Sequence, residues 1–236
     1  VAPVTAVDTV SSDGVRIRVR PWRGRPETAE CQAAPAGAVV PAHLVRSALD
    51  TARDRGYRMA VTPALPPFEW RPYVDTGFEI RERLHLLFHD LVDLGPRTDH
   101  RLRRATRRDT DQVLTVDHAA FQPFWRLDAS GLDEAVRATP SARFRISREG
   151  AGYALVGRAG QRGYVQRIAV LPAEQGRGLG RALVLDGLWW LRRWRVEQAL
   201  VNTQEGNERA VALYEQLGFR HRPGGLAVLQ ADLTAP

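Results

Sequence analysis

The six residues Gln175-Gly176-Arg177-Gly178-Leu179-Gly180 set the strongest limit on what this chain can become. Three glycines in so short a span disfavour the interior of a helix or strand and mark a junction. Before them, Val165-Gln166-Arg167-Ile168-Ala169-Val170 is apolar and rich in β-branched residues, and reads as a strand. After them, Arg181 to Leu191 reads as a helix. Strand, glycine loop and helix together make a holder for phosphate. The glycines let the backbone approach an anion, and the first-turn N–H groups have no partner inside the helix. The helix dipole adds roughly half a positive charge at that end. Arg177 and Arg181 can add full charges.

The common nucleotide motifs do not fit this loop. A G-x-x-x-x-G-K-[ST] loop needs a lysine, and the chain has none. The dinucleotide fingerprint G-x-G-x-x-G needs a third glycine that Gly176 to Ala182 does not supply in register. The pattern that fits is Q-x-x-G-x-G, followed by Asn207 and by Leu213-Tyr214-Glu215-Gln216-Leu217-Gly218-Phe219. In that order these features resemble the GCN5-related N-acetyltransferases, over roughly residues 101 to 233.

The resemblance implies an α/β (α+β) fold: a mixed, mostly antiparallel sheet with helices on both faces, splayed where a pantetheine arm enters. It implies acetyl-coenzyme A as co-substrate and a primary amine as acceptor, on a protein N-terminus or a small molecule. The Ile168-Ala169-Val170 backbone would pair with the pantetheine arm, with the Ile168 N–H facing the acyl carbonyl. The backbone from Gln175 through Gly176, Arg177, Gly178, Leu179 and Gly180 to Arg181 would hold the pyrophosphate, and Asn207 would bond the arm. Tyr214 matches the family's general acid, placed to protonate the departing sulfur. Phe124, Trp125 and Arg126, in the aromatic break Phe121 to Trp125, would wall the acceptor cleft. Departures leave the base open. Tyr164 and Asn202 stand where some relatives carry Glu, and Glu149, Glu205, Asp128, His118 or ordered water are the candidates.

The N-terminal part echoes the C-terminal part. Tyr73 precedes Gly77-Phe78 by the spacing that separates Tyr214 from Gly218-Phe219, since 77 − 73 = 218 − 214. A repeated supersecondary unit is the economical reading. Residues 1–95 are therefore expected to form a degenerate, structural acetyltransferase-like unit, and residues 100–236 the catalytic domain. The tandem arrangement resembles that of the mycothiol synthases.

Along the chain, Val1 to Asp13 reads as a loose terminus, Val15 to Arg20 as a strand and Gly24 to Pro41 as loop, with Cys31 incidental within it. Ala42 to Arg55 reads as a helix, Arg58 to Thr62 as a strand, Phe68 to Thr76 as a short helix and Ile80 to Leu91 as a strand. In the C-terminal part the order is strand His100–Ala105, helix Asp109–Ala120, helix from a Ser130 cap to Ala138, and strands 142–147, 153–157 and 163–170. The loop, a helix to Arg195, strand 198–203 and helix 207–217 follow. Two closing strands, 219–221 and 226–233, end it. Trp189, Trp190 and Trp194 read as core or packing residues.

Composition narrows the partners. The formal charge is +7, and all 34 basic residues are arginine. They are spread along the chain rather than gathered in one run, which reads as GC-rich codon usage rather than nucleic-acid binding; a basic rim for polyanionic coenzyme A or an acidic substrate needs no nucleic acid, and no nucleic-acid motif is present. No apolar run approaches the ~20 residues of a membrane span, and the start lacks a secretory pattern, so a cytoplasmic monomer or homodimer is expected. One cysteine excludes an internal disulfide, and the six histidines show no metal-ligand spacing. The alternative to an enzyme is a non-catalytic coenzyme A-binding or interaction module.

Overall fold

The computed structural model describes residues 7–35, 37–96 and 98–234. In chain order the elements are β1 (Asp8–Ser12), β2 (Val15–Trp22), β3 (Arg25–Ala34), α1 (Ala42–Asp54), β4 (Met59–Val61), α2 (Arg71–Val74) and β5 (Glu79–His89). There follow β6 (Leu102–Arg104), α3 (Thr110–Ala120), α4 (Ala129–Arg137), β7 (Ser141–Ser147), β8 (Gly152–Ala159) and β9 (Arg162–Val170). The chain ends with α5 (Leu179–Arg193), β10 (Gln198–Gln204), α6 (Glu208–Gln216) and β11 (Arg220–Asp232). These form two compact units, one of residues 1–85 with 223–236, the other of residues 86–222.

The boundary differs from the expected division near residue 95. The last strand, expected in the second unit, belongs by its hydrogen bonds to the first. Gln230, Ala231 and Asp232 pair with Val61, Ala60 and Met59 of β4. Thr62 N–H donates to the Leu229 carbonyl at 3.0 Å, and Leu65 and Ala227 exchange backbone bonds. The two closing strands expected are one strand, β11, which runs through Pro223-Gly224-Gly225. A side chain at Gly225 would meet the Leu84 carbonyl oxygen at 2.6 Å, so the backbones come too close there for any other residue.

In the first unit β1, β2 and β3 form an antiparallel meander, and β3 pairs with β4 in parallel across α1. The apolar stripe of α1 (Leu44, Val45, Ala48, Leu49, Ala52) packs into a core with Ile17, Val19, Cys31, Tyr73 and Phe78. Two expectations fail in this unit. Residues 8–12 are a strand rather than a loose end (residues 1–6 lie outside the described set), and the Pro/Ala-rich stretch holds β3. Composition hid β3, because its strand character comes from a long pairing with β2 rather than from β-branched residues. Cys31 is fully buried on it, and burial pushes its thiol up to about 12.

The echo between the two halves is geometric as well as sequential. Phe78 N–H donates to the Tyr73 carbonyl at 3.1 Å, and Phe219 N–H to the Tyr214 carbonyl at 3.0 Å. Gly77 and Gly218, with φ of +92° and +89°, make the same left-handed helix exit. Both rings pairs, Tyr73–Phe78 and Tyr214–Phe219, have centroids 5.4 Å apart. Around them stand matching β–α–β–α–β runs, β3-α1-β4-α2-β5 and β9-α5-β10-α6-β11, each with its first two strands parallel.

In the second unit β6, β7, β8 and β9 pair antiparallel, and β10 pairs with β9 in parallel. The end of β5 lies beside β10. Helix α5 covers one face of this sheet through Leu183, Val184, Leu188 and Leu191, and Arg143 of β7 grips Asp186 with two bonds of 2.6 and 2.8 Å. Helices α3 and α4 cover the other face through Val113, Val116 and Leu132. The cap of α4 is Asp128, which accepts from Gly131 N–H at 2.7 Å, and not Ser130. Asp109 forms a capping box with Thr106 ahead of α3. Trp189 donates to the Gly95 carbonyl, while Trp194 is 54% exposed with Arg158 stacked 4.5 Å from its ring and does not belong to the core.

Candidate active site

The cleft of the second unit follows from how β9 is built. Its pairing with β8 carries a bulge, because Leu155 opposes Arg167 and Val156 opposes Val165, leaving Gln166 unmatched. One inserted residue reverses the side-chain alternation. Gly163 and Val165 therefore face α5, whereas Arg167 and Ala169 face α3. On its other edge β9 pairs with β10 only through residues 162–164 and 198–200. Beyond that point β9 runs to Val170 and β10 to Gln204, and a cleft of about 640 Å³ opens at the stretch 168–170.

The glycine loop closes one end of that cleft. Gly178, at φ +83°, is the residue before α5, a backbone conformation that an L side chain resists. The first turn-closing bond of α5 is Ala182 N–H to the Gly178 carbonyl, so the N–H groups of Leu179, Gly180 and Arg181 precede the helical ladder. Gln175 staples the loop: its Nε2 donates to the Val170 carbonyl at 3.0 Å, and its Oε1 accepts from Arg209 of α6. Asn207 caps α6 by accepting from Ala210 N–H at 3.2 Å, which leaves its amide N–H groups as donors.

Ten of the residues singled out from the sequence line this one cleft: Ile168, Ala169, Val170, Gln175, Gly176, Gly178, Gly180, Arg181, Asn207 and Tyr214. Five do not. Leu179 packs with Ala154, Val170 and Leu183, and the Arg177 guanidinium pairs with Glu174 at 3.0 Å. Phe124 and Trp125 stack edge to face on each other, and Arg126 Nε donates to the Phe121 carbonyl. The residue of the aromatic turn that does reach the cleft is Phe121, beside Ala120.

Tyr214 is 3% exposed, and burial pushes its phenol well above 10, so it stays protonated throughout the neutral range. The candidate bases are placed elsewhere or engaged. Asp128 is the α4 cap, His118 Nε2 donates to the Leu127 carbonyl at 2.7 Å, and Glu149 and Glu205 are exposed loop residues.

A buried charged cluster that leaves no local signal in the sequence lies behind the cleft. Asp117 is fully buried on α3, and Arg167 is 9% exposed. Arg167 Nε and Nη2 donate to the Asp117 carboxylate at 2.8 and 2.9 Å, and the Tyr153 hydroxyl donates to it at 2.5 Å. The bulge at Gln166 hid this pairing, since regular alternation would put Arg167 on the α5 side.

Comparison with known proteins shows what the chain is similar to. Residues 117–219 match the family described as Acetyltransferase (GNAT) family. Mycothiol acetyltransferase of Mycolicibacterium gilvum is 34% identical over 163 residues, which covers 59% of this chain and 52% of that protein. The mycothiol acetyltransferase of Streptosporangium roseum is 49% identical over 57 residues, 24% of this chain and 17% of that protein. The chain thus spans from under a fifth to about half of these curated relatives' lengths. Among solved structures, a tandem GNAT protein from the clavulanic acid biosynthesis pathway aligns at TM-score 0.68 and 16% identity, covering all of this chain and 86% of that one. A GCN5-related N-acetyltransferase from Sphaerobacter thermophilus aligns at TM-score 0.65 and 14% identity, over 93% and 76%. The fold is that of the GNAT proteins.

Proposed function

We propose that the second unit, whose residues 117–219 match the GNAT acetyltransferase family, is an acetyl-coenzyme A-dependent N-acetyltransferase acting on a primary amine. The observation that carries this reading is the coincidence in one cleft of three parts: the β9 edge that β10 leaves at 168–170, the glycine loop at the start of α5, and Tyr214.

The residues fit an extended, polyanionic thioester. Gly176 and Gly178 keep the loop free of side chains where an anion must come close, and the early N–H groups of α5 supply donors. Arg181 and Arg209 line the cleft and supply positive charge. The bound co-substrate would supply an activated acetyl group to an attacking amine. The β9 backbone would orient the arm as an added strand, with Asn207 donating from α6. The Ile168 N–H would polarise the acyl oxygen. Tyr214 would hold its proton at the phenol oxygen until a thiolate develops, and the apolar surroundings that raise the phenol's pKa raise the thiolate's basicity too.

Two arginines in the cleft favour the neutral form of an incoming amine, so ordered water can take its proton. The likeness to mycothiol acetyltransferases favours a small-molecule amine over a protein N-terminus as the acceptor. A cytoplasmic location accords with this chemistry.

Calorimetric titration of acetyl-coenzyme A tests the reading. The wild type is expected to bind, and a Gly178→Glu variant, which sets a carboxylate against the pyrophosphate, is expected to lose binding at least tenfold. No binding by the wild type would overturn the reading. Binding without turnover of any amine would favour a coenzyme A-binding module instead.

A further inference from the structure

The Arg167–Asp117 pair carries more structure than a buried salt bridge requires. The Arg167 Nη2 also donates to the Trp125 carbonyl at 2.6 Å. The Asp117 Oδ1 also accepts from Leu127 N–H at 2.9 Å. The guanidinium carbon lies 3.6 Å from the centre of the Phe121 ring, a close cation–π contact. Thus one ion pair ties the turn at 121, at 125 and at 127, and His118 adds a bond to the Leu127 carbonyl. Phe121, which rests on this guanidinium, lines the cleft.

The place of this contact along the cleft is fixed by β9. The strand runs toward the glycine loop, so residue 170 is nearest the phosphate end and residue 167 farther from it. Arg167 is the neighbour of Ile168, whose N–H the proposed function sets against the acyl oxygen. Phe121 therefore stands at the acyl end, where an acceptor must enter.

We propose that Arg167 is a positioning residue for the acceptor: fixed by Asp117, it holds the Phe121 ring and the 121–127 turn as a rigid wall at the acyl end of the cleft. This rests on the acetyltransferase reading. Lysine keeps the charge but offers neither a planar face for the ring nor the forked donors that Asp117 and Trp125 accept from.

The test compares Arg167→Lys, Phe121→Leu and the double variant in the full chain. A fourth form, Arg167→Met with Asp117→Leu, removes both charges together and so avoids an unpaired buried ion. Two readouts are taken. Amide hydrogen exchange is expected to accelerate at Trp125 and Leu127 in Arg167→Lys and in the Met/Leu form, with β8 and α5 unchanged. With the primary amine that the wild type turns over fastest, acceptor KM is expected to rise about tenfold in Arg167→Lys, while acetyl-coenzyme A KM stays within twofold. The rise should shrink to within twofold on the Phe121→Leu background, because the two residues act through one contact.

Exchange that is unchanged, or faster throughout the unit, overturns the proposal. So does a loosened turn with unmoved acceptor KM, or effects of the two substitutions that simply multiply. A wild type that binds no acetyl-coenzyme A overturns the transferase reading itself, and is told apart by calorimetry before any variant is made.

Discussion

Tyr214 is held by its own helix exit and by the Phe219 ring, and its phenol is buried in the cleft wall. Removing only the hydroxyl should leave the packing intact. Tyr214→Phe is expected to lower kcat by about 100-fold, in the range of a lost general acid, with acetyl-coenzyme A affinity unchanged by calorimetry. A drop in both together would mean the ring, not the proton, matters. His89 sets a pH dependence of stability. Its Nδ1 accepts from Leu91 N–H at 2.8 Å and its Nε2 donates to the Leu217 carbonyl at 2.9 Å, so the neutral ring is fully engaged. Burial is the largest influence and lowers its pKa below 6.5, the Leu217 bond and Asp90 raise it, and Arg220 lowers it. The unfolded chain then takes up a proton that the folded chain resists, so this contribution is full above pH 6.5 and declines as pH falls toward the folded value. Asp109, held low by Arg103, acts only below the ordinary Asp pKa of about 4. As pH falls below about 6.5 the melting temperature is expected to fall, and His89→Gln to flatten that slope.

Helix α5 shows what an element demands beyond its pattern. Its apolar positions were legible in the sequence, and so was its glycine-loop start. Gly187 in its middle carried no signal, because a helix-interior glycine reads only as a weak point. In the structure a side chain there would meet Val156 Cγ2 at 2.5 Å. Val156 is buried and β-branched, so it cannot swing away. Gly187→Ala gains about 1 kcal/mol of helix propensity but overpacks the interface by about 1–3 kcal/mol. The clash is expected to win, with a net loss of about 1 kcal/mol in urea unfolding; a more stable variant would show that α5 can shift. The same limit explains the rest of the site. Loop, Asn207 and Tyr214 announce themselves by local spacing. Asp117 and Arg167 are 50 residues apart, and only the bulge at Gln166 brings them face to face. Within the aromatic break, spacing does not tell Phe121 from Phe124 and Trp125, because the turn's aromatics look alike until its backbone is placed.

At the scale of the molecule, the repeat explains why the compact units are not contiguous in sequence. Each copy ends in a strand after its Tyr-x-x-x-Gly-Phe turn, β5 in the first and β11 in the second. The far end of β5 belongs to the second unit, and β11 from Pro223 onward belongs to the first. The two copies have exchanged the ends of their last strands. A linear reading of the sequence finds the repeat but not the exchange, because both strands carry the same apolar character and pairing choice leaves no local trace. The exchange makes the first unit dependent on the C-terminus. Ala227, Leu229, Ala231 and Leu233 lie in its core, and Leu229 N–H donates to the Thr62 hydroxyl at 3.0 Å. A chain ending at Arg222 would bare that core and leave β4 with β3 as a partner on one edge and none on the other, a loss on the order of 5 kcal/mol from side-chain burial alone. Limited proteolysis of this truncation is expected to cut first within residues 7–85, with 86–222 persisting as a resistant fragment that retains its own core around Leu188 and Tyr214. Cleavage beginning instead within 86–222 would mean that β11 supports the second unit, and the exchange would not describe how the chain is stabilised.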